Sequence, residues 1–206
     1  MNDSFEIEKR KALKRLTEHL ACKRVDKDII PFLKFLNSLP NFFTTSSCSG
    51  RIIVYQVPVF HDKEHCEIIG KWHREVEVEE IKGVIAKKYT HGELWIKQEP
   101  FIFHVVCRNI EDARELQQAV KEIGIREAYI FSFSRKIVLQ ITSSEKIEAP
   151  LGIGGKTIVS DDYLKHLVDI ANKKLRRSYQ RLKMLEDGLR RYFSDRKKFK
   201  VKISDS

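Results

Sequence analysis

Residues 44–51 read Thr-Thr-Ser-Ser-Cys-Ser-Gly-Arg, with apolar residues on both sides. Phe42-Phe43 comes before this segment, and Ile52-Ile53-Val54 follows it. A hydrophilic segment between two apolar, strand-like runs is typical of a loop that a rigid scaffold presents for binding or catalysis. Clusters of Ser, Thr and Gly are also common in ordinary hairpin turns. By itself, the segment therefore predicts either a turn or a functional loop.

Hydrophobic periodicity over the rest of the chain predicts an α/β protein. Helices are expected over residues 5–21, 26–38, 75–87 and 110–123 and from Asp161 onward, and strands over residues 50–57, 66–71, 92–98, 101–107, 127–133 and 136–143. The segment 75–87 fits either structure, and helix is preferred. With no internal repeat or linker, the expectation is a single domain over residues 1–193 with a mixed β-sheet, flanking helices and a long C-terminal helix. A polar tail is expected over residues 194–206.

Each helix is expected to bury one apolar stripe. The stripes are Phe5, Leu13, Leu16 and Leu20 in the first helix, Ile29, Phe32, Leu33 and Leu36 in the second, and Ala113, Leu116 and Val120 in the fourth. Asp26 or Asp28 can cap the second helix, and with Asp28 as the cap, Pro31 falls in the first turn. Asn109 can cap the fourth helix, and Gly124 can end it.

The last helix is expected to be the longest, with Ser160 as its cap. Apolar residues recur every seven positions in two rows: Val168, Leu175, Leu182 and Leu189, and Leu164, Ala171, Leu185 and Tyr192. A helix ending near residue 193 would be roughly 50 Å long. This seam predicts that the helix either lies across the domain or pairs with another helix, and pairing would suggest a structural, oligomerising protein.

The chain has 206 residues and a formal net charge of +10, and its basic excess is concentrated near the C-terminus. Residues 171–200 contain twelve Lys or Arg and three Asp or Glu, a net charge of +9. A basic stripe on one element indicates a polyanionic partner, most often nucleic acid, although such a run can be only a solvated helix face. The predicted RNA contacts are Lys173, Lys174, Arg176, Arg177 and Arg181.

Several classes of protein are not expected. No stretch approaches the ~18 apolar residues of a membrane span, and the N-terminus lacks a signal pattern, so the expected location is the cytoplasm. The four cysteines form no Cys-x-x-Cys pair, and reduced thiols are expected. A metal is not expected either: His61 and His65 are four residues apart, with Cys66 and His73 nearby, but no Glu stands between the two histidines in the order of a zinc-protease motif.

Glycine motifs of nucleotide-binding proteins are also incomplete. Residues 152–157 resemble the end of a phosphate-binding loop, but Pro150 occupies the position at which that pattern requires glycine. The glycines of this segment instead predict a flexible turn or a lid. No Gly-x-Gly-x-x-Gly opens a helix after a strand, so a Rossmann-like fold is not predicted.

The candidate site residues carry complementary chemistry. The serines of the motif offer donors and acceptors, Gly50 allows close backbone approach to a ligand, and Arg51 suits a carboxylate or phosphate. His104 is the one imidazole in an otherwise apolar strand, where a histidine is either a satisfied buried group or a catalyst. A Cys48–His104 nucleophile pair is weakly supported, because cysteine-hydrolase signatures are absent around Cys48.

Thr44-x-Ser46-Ser47-Cys48-x-Gly50-Arg51 resembles the motif (Ser/Thr)-x-Ser-Ser-Cys-x-Gly-Arg of the wybutosine-synthesis methyltransferases of archaea and eukaryotes. The flanking segments follow in the same order: Val25-Asp26-x-Asp28, Phe35-Leu36-Asn37, Phe101-x-x-His104-Val105-x-Cys107-Arg108, Ala149-Pro150-Leu151, Tyr163 and Ala171-Asn172. The resemblance is colinear over about residues 5–193, and no motif position departs from it.

The resemblance implies an α/β fold distinct from the Rossmann-like methyltransferases. It also implies a cofactor, S-adenosylmethionine, and a substrate, a tricyclic guanine derivative beside the anticodon of phenylalanine tRNA, which is methylated on a ring nitrogen. The family's catalytic histidine falls on His104 and its aspartate on Asp26, with Asp28 as the alternative. The implied cofactor-binding residues are Thr44, Ser46, Ser47, Cys48, Gly50 and Arg51.

Methyl transfer from a sulfonium needs alignment of the reacting atoms and a group that accepts the proton of the nitrogen. Asp26 is the favoured acceptor because its carboxylate would also stabilise a cationic sulfonium nearby, and His104 is the other candidate. Arg51 and the hydroxyls are expected to hold the amino-acid end of the cofactor, and Cys48 to pack or to contact it. The alternative function is a non-catalytic tRNA-binding module.

Overall fold

The computed structural model of the protein describes the backbone of residues 4–58 and 66–204 and the side chains of residues 4–58 and 66–195. His61 and His65 therefore lie outside the described residues. In chain order, the elements are α1 (Ser4–Ala21), the 3-10 turn η1 (Lys27–Ile29), α2 (Ile30–Ser38), β1 (Phe42–Cys48), β2 (Arg51–Val57), β3 (Glu67–Trp72), α3 (Val78–Lys88), β4 (Glu93–Glu99), β5 (Ile102–Cys107), α4 (Ile110–Glu122), β6 (Ala128–Ser132), β7 (Ile137–Thr142), β8 (Ile147–Ile153), β9 (Lys156–Thr157) and α5 (Asp161–Ser204). The α/β class is confirmed.

The chain divides into two compact units. The first comprises Met1–Ser49, Phe101–Ser143 and Gln180–Ser206, and the second comprises Gly50–Pro100 and Ser144–Tyr179. Each unit contains one antiparallel sheet, in place of the mixed sheet that the sequence suggested. The expected division into a catalytic domain and a polar tail stays a prediction.

The sheet of the first unit has the strand order β1-β5-β7-β6. Its two faces have different partners, because side chains alternate across a strand. On one face, the ring of Phe103 makes an edge-to-face contact with Phe32 of α2, with ring centroids 4.9 Å apart. On the other face, Phe5 of α1 packs against Phe43 and Val106. A helix layer on each face therefore fixes β5 at the centre of this unit.

The sheet of the second unit has the strand order β3-β2-β4-β8-β9. One of its faces supplies a core that α3 and the beginning of α5 complete, with Ile52, Val54, Leu94 and Ile96 on the strands and Ile81 on α3. Because side chains alternate, Arg51, Tyr55 and Lys97 lie on the opposite face, where they are partly exposed. The second unit thus has one apolar face and one charged face.

The last helix is longer than expected. α5 has 44 residues, or roughly 66 Å at 1.5 Å per residue. Ser160 caps it as predicted, accepting a hydrogen bond from the Tyr163 amide at 3.2 Å. The heptad residues are buried except Tyr192, which is half-buried, and those from Leu164 to Leu175 belong to the core of the second unit. The seam is thus used for packing within the chain, which makes helix pairing unnecessary to bury it.

Two sequence predictions about local structure are wrong. The buried face of α1 contains Phe5, Lys9 and Ala12, instead of Leu13 and Leu20. Lys9 tolerates burial because its ammonium donates to the carbonyls of the turn that follows α2. The predicted cap at Asp26 or Asp28 is absent, since neither η1 nor α2 has a side-chain cap.

Residues 44–48 are also not the loop that the sequence suggested. They belong to β1, an edge strand that, among the strands of the described residues, pairs with β5 alone. Polar side chains are compatible with an edge strand because only one of its sides must form backbone hydrogen bonds and its outward face can stay wet. Only Ser49 and Gly50 connect β1 to β2.

The glycine segment near residue 154 was correctly interpreted as a turn. Gly154 and Gly155 have φ values of 58° and 80°, which non-glycine residues rarely adopt. They join β8 to β9, and β8 itself was missed because Pro150 interrupts its pattern. None of the helices in the described residues combines the length and the apolar character of a membrane span.

Candidate active site

The centre of the serine motif lies beside His104, on neighbouring strands of the first unit. The register pairs Thr44 with Val105 and Ser47 with Phe103, which leaves two residues of β1 opposite His104 alone. This is a β-bulge, a feature that redirects side chains and is frequent beside active sites. The sequence predicted that the motif and His104 share a site, and the structure brings them into contact.

Both ring nitrogens of His104 are hydrogen-bonded. Ser46 Oγ lies 2.6 Å from Nδ1, and Gln140 Oε1 lies 2.8 Å from Nε2. The amide nitrogen of Gln140 donates to the Tyr129 hydroxyl, which leaves its oxygen as the acceptor for the ring. This network assigns the ring proton to Nε2, so that Nδ1 accepts from Ser46.

Ser46 and His104 form the part of this hydrogen-bond chain that can move a proton, while Gln140 and Tyr129 hold the other side of the ring. Ser46 is exposed and His104 is half-buried, so a ligand can reach the hydroxyl while the imidazole stays fixed behind it. A second bulge residue, Thr45, directs its hydroxyl toward the His104 carbonyl at 3.4 Å. A neutral imidazole held in this way can accept a proton through the hydroxyl.

Asp26 meets the other end of the motif. Its Oδ2 accepts hydrogen bonds from the Ser49 amide at 2.8 Å and from the Ser49 hydroxyl at 3.0 Å. Ser49 is fully buried, so these bonds fix the backbone where β1 ends. Asp28, the alternative aspartate, is exposed in η1. Of the two aspartates, Asp26 is therefore the one that contacts the motif.

Gly50 and Arg51 continue the motif into the second unit. Gly50 has φ 107°, a conformation that requires glycine. Arg51 begins β2, and its Nε donates to Glu99 Oε2 at 2.5 Å. Lys97 lies 3.5 Å from the other oxygen of Glu99. The charge of Arg51 is thus matched by a carboxylate of the protein itself. The sequence had predicted that Arg51 would contact a cofactor instead.

A groove of about 320 Å³ lies beside the motif within the first unit, and sequence reasoning missed its basic residues. Its walls include Thr44, Thr45, Ser46 and Ser47 on one side and Ala12, Arg15, Leu16, His19 and Arg24 on the other. The four helical residues are spaced at i, i+3, i+4 and i+7, the pattern of one helix face. That spacing was visible in the sequence. The predicted buried stripe of this helix, however, included Leu13 and Leu20, each one position after a residue of the groove.

Ser47 gives this groove an unusual polar atom. Its hydroxyl oxygen is buried and has no hydrogen-bond partner among the described residues. A buried polar group without a partner is costly, by about 1–3 kcal/mol, and it is common where a ligand supplies the missing bond. With Arg15 and Arg24 lining the same groove, the arrangement fits a ligand with a carboxylate.

The other predicted site residues are structural or half-buried. The Thr44 hydroxyl accepts from Asn37 Nδ2 at 2.8 Å, and its amide donates to Asn37 Oδ1 at 3.0 Å, which fastens β1 to α2. Cys48 is half-buried. Since Ser46 and Gln140 occupy the ring nitrogens of His104, the arrangement does not show the Cys48–His104 nucleophile pair.

The cysteines differ in environment, and we expect them to differ in reactivity. Cys107 is buried, and desolvation together with the charge of Asp112 raises the pKa of its thiol to about 12. Because the thiolate is the reactive form, the folded protein should leave Cys107 unmodified by iodoacetamide while the exposed Cys22 is modified rapidly. Peptide mass mapping measures both sites, with urea-unfolded protein as the control. Equal labelling rates at the two sites would contradict the assignment.

The predicted tRNA contacts on α5 are unequal. Arg176 makes two hydrogen bonds to the carboxylate of Glu75, at 3.0 and 2.6 Å, and these lower the pKa of Glu75. Lys174 lies 3.6 Å from Glu145. Lys173 and Arg177 are exposed and have no acidic partner within 4 Å among the described side chains, and Arg181 is half-buried. Of the five predicted contacts, Lys173 and Arg177, four residues apart, are therefore the two whose positive charge is most accessible to a phosphate.

Comparisons with known proteins identify the family of the chain. The family model Methyltransferase TYW3 matches residues 7–191. A protein of Pyrococcus furiosus named tRNA(Phe) 7-((3-amino-3-carboxypropyl)-4-demethylwyosine(37)-N(4))-methyltransferase 1 is 42% identical over 189 residues, 91% of this chain and 96% of that protein. A protein of the same name from Pyrococcus abyssi is 43% identical over 188 residues, 91% of this chain and 96% of its own length.

Solved structures show the same fold. The PH1069 protein from Pyrococcus horikoshii aligns with a TM-score of 0.83 at 42% identity, covering 89% of this chain and 94% of that one. A hypothetical protein from Aeropyrum pernix aligns with a TM-score of 0.66 at 26% identity, covering 79% and 95% of the two chains. With a family model that spans most of the chain and relatives above 40% identity, the protein belongs to the Methyltransferase TYW3 family.

Proposed function

We propose that this protein transfers a methyl group from S-adenosylmethionine to a ring nitrogen of the tricyclic wyosine-type base beside the anticodon of tRNA-Phe. The reaction would belong to wybutosine-derivative biosynthesis, and the expected location is the cytoplasm. The names of the relatives at 42–43% identity support the substrate and the position of methylation. The structural observation that carries the proposal is the hydrogen bond between Ser46 and His104, which forms a proton acceptor within the family's motif.

The groove beside the motif fits the amino-acid end of S-adenosylmethionine. The unpartnered hydroxyl of Ser47 can donate to its carboxylate, and Arg15 and Arg24 can neutralise that charge. When bound, the cofactor supplies a methyl group that is already activated on a sulfonium. This assignment gives Arg15 and Arg24 the role that the sequence had suggested for Arg51, whose charge Glu99 already matches.

The proton of the reacting nitrogen would pass to His104. The Ser46 oxygen accepts it as the Ser46 hydroxyl proton moves to Nδ1, and the N–H of Nε2 remains fixed on Gln140. Gln140 thereby holds both the tautomer and the plane of the ring. We assign Asp26 a positioning role instead, since its Oδ2 is engaged by Ser49.

The tRNA would contact the basic face of α5. Lys173 and Arg177 are the strongest candidates for phosphate contacts, because Lys174 and Arg176 have carboxylate partners. Phosphate contacts supply affinity that falls with salt and do not depend on sequence. The modified base would leave the anticodon stack to reach Ser46.

The test of the function is transfer of a labelled methyl group. We expect the purified protein to move label from S-adenosylmethionine to tRNA-Phe taken from a strain blocked before this step, and to leave fully modified tRNA-Phe unlabelled. The absence of transfer over a range of salt concentrations would refute the proposal. Salt-sensitive tRNA binding without affinity for S-adenosylmethionine in calorimetry would support the alternative, a non-catalytic binding module.

Replacing Ser47 with alanine tests the cofactor groove. We expect Ser47→Ala to weaken S-adenosylmethionine binding about tenfold, because a hydrogen bond to a charged group contributes about 1.5–3 kcal/mol. Calorimetry measures the change, and Ser38→Ala is a matched control, since its exposed hydroxyl donates to a carbonyl of its own helix, Phe35 O, at 2.7 Å. Equal affinities for Ser47→Ala and the native protein would remove Ser47 from the cofactor site.

A further inference from the structure

Three aromatic side chains are unusually exposed at one edge of the first unit. Tyr129, Phe131 and Phe133 are 44%, 61% and 66% exposed. They follow one another along β6, the edge strand opposite β1, and into the turn after it. Large aromatic side chains normally contribute to the core, so three of them exposed in succession indicate a contact surface.

These aromatic residues border the proposed proton acceptor. The ring of Phe131 lies against the His104 ring, with centroids 4.9 Å apart. Tyr129 is joined to His104 through Gln140. On the same face, α1 covers Val106 and Val138 but leaves His104 and the aromatic residues accessible. The surface is therefore continuous with the candidate active site.

Basic residues lie at the far end of the aromatic row. Phe133 lines a groove of about 350 Å³ with Arg108, Arg135 and Lys136. Arg108 and Lys136 have acidic partners on α1, Glu6 and Glu8. Arg135 is exposed and has no ion-pair partner among the described side chains. Aromatic rings beside an unpaired guanidinium match a polyanion that carries flat bases.

We propose that Tyr129, Phe131 and Phe133 form a platform on which bases of a single-stranded RNA loop stack, with Arg135 contacting the loop's phosphates. The inference deepens the proposed function and rests on it. A base that leaves its stack to reach Ser46 exposes the faces of its neighbours, and aromatic side chains replace the lost stacking. An antiparallel sheet with exposed aromatic rings is a common surface for this purpose.

The experiment combines protein variants with RNA hairpins. The probes are a fluorescein-labelled hairpin with the anticodon-loop sequence of tRNA-Phe and a set of hairpins that each lack one loop base. Fluorescence anisotropy gives the Kd of each pair. Phe131→Leu and Phe133→Leu each retain apolar volume but lose the π face of the ring. We expect each variant to bind the intact hairpin about tenfold more weakly than the native protein does. For the hairpin that lacks the base stacked on the substituted ring, the native protein and that variant should have the same Kd.

Controls separate stacking from loss of structure. Ile158→Ala removes an apolar side chain with the same 61% exposure in the second unit and should leave every Kd unchanged. Unaltered thermal unfolding would show that the leucine variants are folded. If Phe131→Leu and Phe133→Leu bind the intact hairpin like the native protein, the platform is refuted. If they weaken all hairpins equally, stacking is refuted as the cause.

Two further outcomes distinguish this inference from the proposed function. Native protein that binds and discriminates the hairpins but transfers no methyl group would refute the function and retain the platform. If the native protein transfers methyl groups but the Kd values do not depend on the aromatic residues, the platform is refuted and the function is retained. Sedimentation tests a further occupant of this face. If the native protein is a dimer that dissociates in Phe131→Leu while the Kd for the hairpin is unchanged, a second copy covers this face and the proposal is overturned.

Discussion

His104→Ala is expected to lower the rate of methyl transfer by about 10²- to 10⁴-fold, the range by which a positioned acid or base contributes. The variant removes the acceptor at Nδ1 that lies 2.6 Å from Ser46 Oγ. Affinities for S-adenosylmethionine and for tRNA should change little, because the ring lies behind the hydroxyl. Single-turnover transfer with saturating substrates measures the loss directly.

The controls for His104 use its neighbours and a distant histidine. His91→Ala is the matched control, since His91 is exposed in the second unit and its Nδ1 lies 2.9 Å from the hydroxyl of its chain neighbour Thr90. If Ser46 and His104 act as one proton path, Ser46→Ala combined with His104→Ala should lose no more than His104→Ala alone. Transfer within threefold of the native rate in His104→Ala would exclude the imidazole as the acceptor.

Asp26→Ala is expected to lower transfer about 100-fold, the loss that a shift of about 1 Å in a reacting group can cause. The variant removes the carboxylate oxygen that holds the amide and hydroxyl of buried Ser49. We also expect a decrease of about 1–3 kcal/mol in the free energy of unfolding. Transfer rates and urea denaturation measure the two effects.

Asp26→Asn distinguishes a positioning residue from a base. Its amide oxygen can still accept from the Ser49 amide, so transfer should stay within about tenfold of the native rate. Asp28→Ala is the matched control because Asp28 is exposed two residues away, and it should transfer at the native rate. An Asn variant as inactive as Asp26→Ala would instead support Asp26 as the base, the assignment favoured by the sequence.

Most elements of the fold were predictable from local patterns. The helices around Phe32 and Leu116 and the strand around Phe103 have periodicities that reflect their own burial. β1 and β8 were not predicted, because neither has a strand pattern. β1 is polar at an edge, and β8 contains Pro150, and both form strands only because neighbouring strands pair with them.

The residues of the candidate site could be proposed from the sequence, but their arrangement could not. The motif and its resemblance to a family identified Asp26, Ser46 and His104. Gln140 gave no sequence signal, since a glutamine in a strand is unremarkable until the register places it opposite His104. Arg15 was equally hidden, because a basic residue beside an apolar stripe is normally a solvated one.

The sequence by itself determined the family, the α/β class and the identity of the motif, because these depend on residue order and short-range periodicity. The tertiary structure alone decided which group each of these motif residues contacts. The extra residue in β1 directs Ser46 onto His104, the bonds of Ser49 engage Asp26, and Glu99 matches Arg51. Such roles depend on which strands pair and in which register, and pairing between residues far apart in the chain leaves no local pattern in the sequence.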